Sequence, residues 1–135
     1  MLKVKASAGL SQVNGIGLFA EEKIPKGTVT WQFNPDLDIV FDPEKVAKMP
    51  KEQQELFDRF AFLSKKTGKY IYSIDDSRFC NHSAFQNNID FLYTVDQPEG
   101  YSIANREIEK GEELLVNYRQ FDEHDTRSDE PYLNN

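Results

Sequence analysis

The chain has 135 residues, with 16 basic against 23 acidic side chains and a formal net charge of -7. This length suffices for one domain with a core, and no apolar run approaches the roughly 20 residues that a membrane-spanning helix needs. The acidity disfavours direct nucleic-acid binding and favours basic partners, although solubility alone would also explain it. The single cysteine excludes an internal disulfide and a multi-cysteine zinc site, and without a signal-peptide pattern we expect an intracellular protein, in the cytoplasm rather than the nucleus.

Short strand-like segments fill most of the chain. Alternating, β-branched or aromatic residues predict strands in residues 2–6, 16–20, 28–33, 37–41, 70–74, 89–95, 101–104 and 114–118. Glycines at positions 15, 27, 68, 100 and 111 punctuate these segments, as turns require. The pattern therefore predicts a mainly β domain.

Residues 42–66 differ from this pattern, because they contain no glycine and their apolar residues recur at helical spacing. Pro50 would interrupt a continuous helix, so we predict two helices. The first begins near Pro43 with Asp42 as its N-cap, and the second begins at Pro50 and extends to Leu63.

Two segments resemble one another. Residues 20–28 read AEEKIPKGT and residues 104–112 read ANREIEKGE, and both place Ile four residues after Ala and Lys-Gly just beyond it. In each segment the glycine can adopt the positive φ of a turn before a strand. We interpret them as two similar turns, with an internal duplication as the alternative.

The first of three local motifs is Gly15-Ile16-Gly17-Leu18-Phe19. Glycines at this spacing let a backbone approach a ligand closely. A dinucleotide fingerprint would need a third glycine and a following helix, which are missing. Taken alone, the motif predicts a plain turn before a strand.

The second motif is RFCNHS at residues 78–83, where polar residues between aromatics predict a loop with buried hydrogen bonds. His82 has no second histidine or cysteine at ligand spacing, which favours a structural histidine over a base or a metal ligand. Cys80 fits a small buried hydrophobe better than a nucleophile. The third motif, GEELLVNY at residues 111–118, ends in Tyr118, which alone is more typical of a core aromatic than of a catalyst.

The order and spacing of the three motifs together resemble the SET domain of protein-lysine methyltransferases. The resemblance covers about residues 2–118, and RFCNHS in front of GEELLVNY is a specific match. It implies a mainly β, β-clip-like fold of several small sheets, with a helical insert at about 42–66 and a knot-like C-terminal crossing. It also implies a SET domain at 1–118, followed by a post-SET-like tail at 119–135 that we expect to be loosely held.

The resemblance further implies methyl transfer from S-adenosylmethionine to a lysine of a basic protein of the histone, histone-like or ribosomal type. Tyr118 matches the catalytic tyrosine and would also contact the cofactor, together with Gly15, Gly17, Leu18, Phe19, Arg78, Asn81 and His82. Side chains expected along the lysine channel are Trp31, Phe33, Tyr72, Asp90, Phe121 and Tyr132.

Two further expectations follow from how the chain departs from the family. The zinc-binding cysteines that follow many SET domains are absent, so no metal is expected. The channel motif is weakened, because Phe33-Asn34-Pro35 stands where Tyr-x-Gly is common. The alternative function is therefore a catalytically silent SET-like module that binds basic proteins, and the oligomeric state stays open.

Overall fold

The computed structural model describes residues 1–135, apart from the side chains of residues 126 and 127, and its strands form three small sheets. Strands β1 (Ala6–Leu10) and β2 (Ile16–Ala20) form an antiparallel hairpin. The other strands are β3 (Val29–Gln32), β4 (Ile39–Phe41), β5 (Ala61–Leu63), β6 (Tyr70–Tyr72), β7 (Asn81–His82), β8 (Ile89–Leu92), β9 (Tyr101–Ala104) and β10 (Leu115–Val116). They form a central sheet of order β3-β9-β8-β10-β7 and a peripheral sheet of order β4-β6-β5.

Three short helices accompany the sheets: α1 (Pro43–Ala47), α2 (Lys51–Phe60) and α3 (Glu123–Arg127). The ring of Phe57 in α2 packs edge-on against Phe41 and Tyr70, at centroid distances of 4.8 and 5.5 Å, which fixes the insert on the peripheral sheet. No helix in the described part of the chain combines the length and apolar character that crossing a bilayer requires.

The predicted mainly β fold of several small sheets with a helical insert is confirmed, but three local predictions are wrong. The first strand begins at Ala6 rather than Leu2, because its register is set by pairing Ala6 with Ala20 of β2. The second helix ends at Phe60 instead of Leu63, because residues 61–63 pair with β6. The tail after residue 118 is not loosely held, since it contains α3 and the fully buried Leu133.

The two similar turns contact one another directly. Ile24 and Ile108 exchange backbone hydrogen bonds of 2.8 and 2.9 Å, and both side chains are buried in the main core cluster. Gly27 and Gly111 have φ of 86° and 89°, and each donates its N–H to the alanine that opens the other segment. Every hydrogen bond from the first segment to the second has an equivalent bond from the second segment to the first. The two turns are therefore related by a local twofold symmetry.

The knot-like crossing is formed by β10, which lies between β7 and β8 and runs parallel to both. The N–H of Ser83 donates to Val116, next to β7. On the other side, the buried amide of Asn88 donates to the Glu113 carbonyl and accepts the N–H of Leu115, both at 2.9 Å. The C-terminal strand is thus inserted between two earlier segments of the chain.

The docked tail gives a stability prediction. Leu133→Ala should lower the free energy of unfolding by about 2–4 kcal/mol, because it leaves a cavity at a side chain that is 1% exposed. Leu10→Ala makes the same chemical change at a side chain that is 90% exposed and should change stability by less than about 0.5 kcal/mol. Urea unfolding followed by circular dichroism measures both, and equal values would show that the tail is not part of the folded unit.

Candidate active site

Tyr118 follows β10 and lies at the crossing. Its backbone N–H donates to Nδ1 of His82 at 3.0 Å, and its hydroxyl donates to the carbonyl oxygen of Cys80 at 2.8 Å. Burial raises the pKa of the Tyr118 phenol above its ordinary value, so the hydroxyl keeps its proton at neutral pH. The residue is therefore held by its backbone and by its hydroxyl, so Cys80 and His82 set its orientation.

His82 connects this crossing to the tail. Its Nδ1 accepts a hydrogen bond from Tyr118, so the proton of the neutral ring resides on Nε2, which donates to the Leu133 carbonyl at 3.1 Å. Burial lowers the pKa of His82, which favours this neutral form. Both ring nitrogens are used within the protein, as in a structural histidine. In the part of the chain that the structure describes, no group of three His, Cys, Asp or Glu residues could hold a metal ion.

Asn81 joins the glycine turn to the third motif. Its side-chain amide donates to the carbonyls of Asn14 and Ile16, at 3.0 and 3.2 Å, and to Glu113 Oε1 at 2.9 Å. Gly17 lies under the same carboxylate, and a Cβ atom there would overlap Glu113 Oε1. A larger residue at position 17 would therefore displace the Glu113 carboxylate from its hydrogen bond to Asn81, which holds the start of β2 against the crossing.

Cys80 is unsuited to nucleophilic chemistry. Its Sγ contacts the carbonyl oxygen of Leu114 at 3.1 Å as a hydrogen-bond donor. Burial, with a smaller repulsion from Glu113, raises the pKa of the thiol to about 12. The sulfur is therefore a protonated packing atom at neutral pH, as expected for a small buried hydrophobe.

A cavity of about 460 Å³ lies beside Tyr118. Four aromatic side chains in its wall form an aromatic cage: Trp31, Phe62, Phe91 and Phe121. The Phe91 ring centroid is 4.7 Å from that of Phe121, 5.8 Å from Phe62 and 5.9 Å from Trp31. Gly100 leaves the space that the Phe91 ring occupies, because a Cβ atom at residue 100 would overlap the ring.

The tail supplies a second, polar part of the cavity wall, which includes Asp122, His124, Asp125 and Tyr132. The Tyr132 hydroxyl donates to Asp125 at 2.8 Å, and the Tyr70 hydroxyl forms a 2.8 Å hydrogen bond with His124 Nε2. Burial, with repulsion from Asp125, raises the pKa of Asp122 to about 6. This wall therefore carries negative charge at neutral pH.

The family model for the SET domain matches residues 15–119, from the first glycine of the turn to the residue after Tyr118. This chain belongs to the SET domain family. Over 119 residues the SET domain is 29% identical to the H3 lysine-36-specific histone-lysine N-methyltransferase of Schizosaccharomyces pombe. The match covers 84% of this chain and 14% of that protein, so the chain spans about a seventh of the curated relative.

Two solved structures share the fold of this SET domain. One is a humanized mutant of the Chaetomium thermophilum Polycomb Repressive Complex 2 bound to the inhibitor GSK126, with 26% identity and a TM-score of 0.63. That match covers 87% of this chain and 15% of the other. The second is a candidate histone methyltransferase of Plasmodium falciparum, with 19% identity and a TM-score of 0.57. That match covers 85% of this chain and 93% of the other.

The structure brings six of the predicted site residues to the cavity wall: Leu18, Trp31, Arg78, Tyr118, Phe121 and Tyr132. The guanidinium of Arg78 stacks over the rings of Phe60 and Phe79, at 5.3 and 5.0 Å. Its buried Nε has no hydrogen-bond partner among the described residues. Arg78 thus offers a donor that the protein itself leaves unused.

The other predicted cofactor residues, Gly15, Gly17, Phe19, Asn81 and His82, lie in the hairpin and the crossing rather than among the residues that line the cavity. Because the amide of Asn81 and both nitrogens of His82 already bind the protein, their contacts to a ligand would have to come from the backbone. Their role in cofactor binding stays a prediction.

Three predicted channel residues have other surroundings. Phe33 packs on the cluster that contains Trp31, and the Tyr72 ring lies 6.0 Å from that of Phe57 in the insert. Asp90 accepts hydrogen bonds from three side-chain amides at 2.9–3.3 Å. These contacts are those of packing and scaffolding residues, and a place in the channel stays a prediction for all three.

Phe62 and Phe91 are cage residues that the sequence reasoning missed. Phe62 lies within the segment predicted as helix but outside its apolar spacing, and Phe91 was one apolar residue of a predicted strand. Asp122 and Asp125 were also missed, because a polar tail carries no periodic pattern that marks a buried carboxylate. Gly100 directly precedes β9, the strand that pairs with the strand of Phe91. This glycine was the one local signal in the sequence of a close contact with the Phe91 ring.

The buried His82 gives a pH prediction. Folding lowers the pKa of His82, so the unfolded chain binds the proton more readily and stability is lost as the pH falls below about 6.5. His82→Gln should lower the free energy of unfolding by about 2 kcal/mol at pH 7, because two hydrogen bonds are impaired. Between pH 7 and 5, this variant should lose less additional stability than the wild-type protein.

Urea unfolding of both proteins at each pH measures this effect, and the difference between them removes the contributions of the other titrating groups. Parallel pH profiles of wild type and His82→Gln would contradict the assignment of a neutral, protein-bound His82.

Proposed function

We propose that this SET domain transfers methyl groups from S-adenosylmethionine to the side-chain amine of lysine in a basic protein. The observation that carries the proposal is the Tyr118 hydroxyl, which the Cys80 carbonyl fixes at the crossing, in a residue that lines an aromatic cavity. The curated relative's name, a histone-lysine N-methyltransferase, supports the same reaction class.

Arg78 in the cavity wall suits one chemical group of S-adenosylmethionine. The unused, buried Nε of Arg78 would be satisfied by an anionic group such as the amino-acid carboxylate. We propose that Arg78, the turn of Gly15 and Gly17, and the backbone of Asn81 and His82 hold the cofactor. When bound, it supplies a methyl group on a positively charged sulfur, which leaves as a neutral thioether.

The protein's own contribution is orientation and exclusion of water. The lysine amine must be deprotonated and aligned with the methyl carbon, and such alignment can lower the barrier by roughly 7–11 kcal/mol. The aromatic cage keeps water out and attracts a methylated ammonium through cation–π contacts. Tyr118 offers its hydroxyl oxygen to the polarised methyl hydrogens, since its own proton is directed to Cys80.

The substrate class follows from charge. The chain carries a net charge of -7, and carboxylates of the tail line the cavity. These charges favour a lysine-rich partner such as a histone, a histone-like protein or a ribosomal protein, through steering and complementarity. We also propose an intracellular setting, where such partners occur.

The direct test incubates the purified chain with S-adenosylmethionine carrying a labelled methyl group and mixed histones and ribosomal proteins. Mass spectrometry should find methylated lysine. Binding of the cofactor in calorimetry without transfer to any of these proteins would support the silent module instead, and neither binding nor transfer would reject both.

Tyr118→Phe should lower kcat by about 100-fold or more while changing the Kd for the cofactor less than about threefold, because the hydroxyl acts on the reacting methyl group. Tyr101→Phe removes a hydroxyl from β9, away from the crossing, and serves as the matched control with unchanged kcat. Steady-state kinetics and calorimetry on the three proteins measure this difference. Equal losses of kcat and affinity in Tyr118→Phe would contradict the assigned role.

A further inference from the structure

The indole of Trp31 lies at the end of a chain of buried hydrogen bonds. Its Nε1–H donates to Oγ of Ser73 at 3.2 Å, and the Ser73 hydroxyl donates to Oδ1 of Asp38 at 2.6 Å. Oδ2 of Asp38 accepts the backbone N–H of Asn34 at 2.8 Å and the Met1 ammonium at 3.0 Å. The Asp38 side chain is 0% exposed, so this chain of bonds lies inside the protein and both carboxylate oxygens are used.

The strand that carries Trp31 is distorted at this point. The pairing of β3 with β9 shifts register between Val29 and Trp31, as it does at a β-bulge. Consecutive side chains of a regular strand point to opposite faces, whereas Thr30 and Trp31 are both buried and both line the cavity. Bulges re-aim side chains beside binding sites. The backbone thus brings the indole to the cavity, and Ser73 binds its single polar atom there.

Ser73 and Asp38 belong to the peripheral sheet rather than to the sheet of Trp31. Asp38 directly precedes β4, and Ser73 directly follows β6. The pairing of Ile39 with Tyr72 brings the two residues to the same end of that sheet. The hydrogen bonds therefore connect the peripheral sheet to one ring of the aromatic cage in the central sheet.

Packing alone does not explain an indole at this position. A phenylalanine ring would fill much of the same space without needing an acceptor, since a buried N–H is costly unless it is hydrogen-bonded. Tryptophan, however, is the side chain whose ring attracts cations most strongly. Because Ser73 donates its own proton to a carboxylate, its oxygen is also a better acceptor for the indole N–H.

We propose that Ser73, itself fixed by Asp38, is a positioning residue that holds the Trp31 indole in the orientation in which the ring binds the methylated ammonium group of the product lysine. This inference rests on the proposed function. Without the Ser73 hydroxyl, the indole would rotate towards another acceptor, and the ring would contribute less to cation binding. Ser73 and Asp38 thus act through Trp31 rather than on the reacting atoms.

Binding of a small cation tests the proposal directly. The probes are the Nα-acetyl amide of trimethyllysine and its neutral analogue, in which carbon replaces the quaternary nitrogen. Calorimetry should show that wild type binds the cation about tenfold more tightly than the neutral analogue, and Ser73→Ala should reduce this ratio to about threefold or less. An unchanged ratio in Ser73→Ala, or no preference for the cation in wild type, would overturn the inference.

A double-mutant cycle separates positioning from a merely structural role of Ser73. The ring of Trp31→Phe has no N–H, so adding Ser73→Ala to this variant should change the ratio by less than about twofold. A fall as large as in the Trp31 protein would show that Ser73 acts by another route and would overturn the inference. Ser7→Ala is the matched control, because it makes the same chemical change at a half-buried residue of β1, in the separate hairpin. It should keep the wild-type ratio.

A measurement on wild type decides the inference if Ser73→Ala does not fold. Trp31 is the only tryptophan of the chain, so its indole N–H gives a single resonance in ¹⁵N NMR. This proton should exchange slowly with solvent, and its resonance should shift on saturation with the cationic probe. Exchange as fast as in free tryptophan, or an unmoved resonance, would overturn the inference. Since none of these readouts requires turnover, absence of methyl transfer by wild type would reject the proposed function separately.

Discussion

The insertion of β10 between β7 and β8 is the constraint on which the rest of the structure depends. Because β10 is parallel to both neighbours, residues that are far apart in sequence meet within one hydrogen-bond layer. Tyr118 leaves this layer with its backbone bound to His82 and its hydroxyl bound to Cys80. The orientation of the phenol is thus fixed by the main chain of a different segment, so the fold itself preorganises the cavity. A loop-borne tyrosine would have to be ordered at each encounter with substrate.

The polar residues of the second motif stabilise the crossing more directly than they could hold a ligand. Asn81 links the glycine turn to Glu113, and Asn88, which follows the motif, uses its amide to bind two backbone groups of the inserted segment on its β8 side. Buried polar groups that are fully satisfied specify one arrangement, because any slip of register would leave several of them unpaired. The unpartnered, buried Nε of Arg78 contrasts with this network, and Arg78 itself belongs to the cavity wall.

The sequence predicted those parts of the SET domain that depend on local pattern. Strands β2 and β9 follow alternation or β-branched runs and have the predicted bounds, and the two insert helices begin where the prolines allow. Phe62 could not be separated from a helix by spacing, because its strand exists through pairing with β6. The docking of Leu133 depends on a carbonyl bond to His82, 51 residues away, which no local pattern encodes. The cavity carboxylates were missed for the same reason.

The tail combines a favourable and an unfavourable contribution to folding. Leu133 is buried and its carbonyl is bound by His82, whereas Asp122 is held as a carboxylate in a site that disfavours its charge. The raised pKa means that folding binds a proton at Asp122, so this cost is absent below about pH 4 and grows as the pH rises through about 6. It amounts to roughly 3 kcal/mol at most, and less once solvent screening is counted. A contact such as Leu133 offsets a cost of this size. The buried half of the tail thereby holds the Asp122 carboxylate at the cavity wall, at the expense of part of the stability that Leu133 provides.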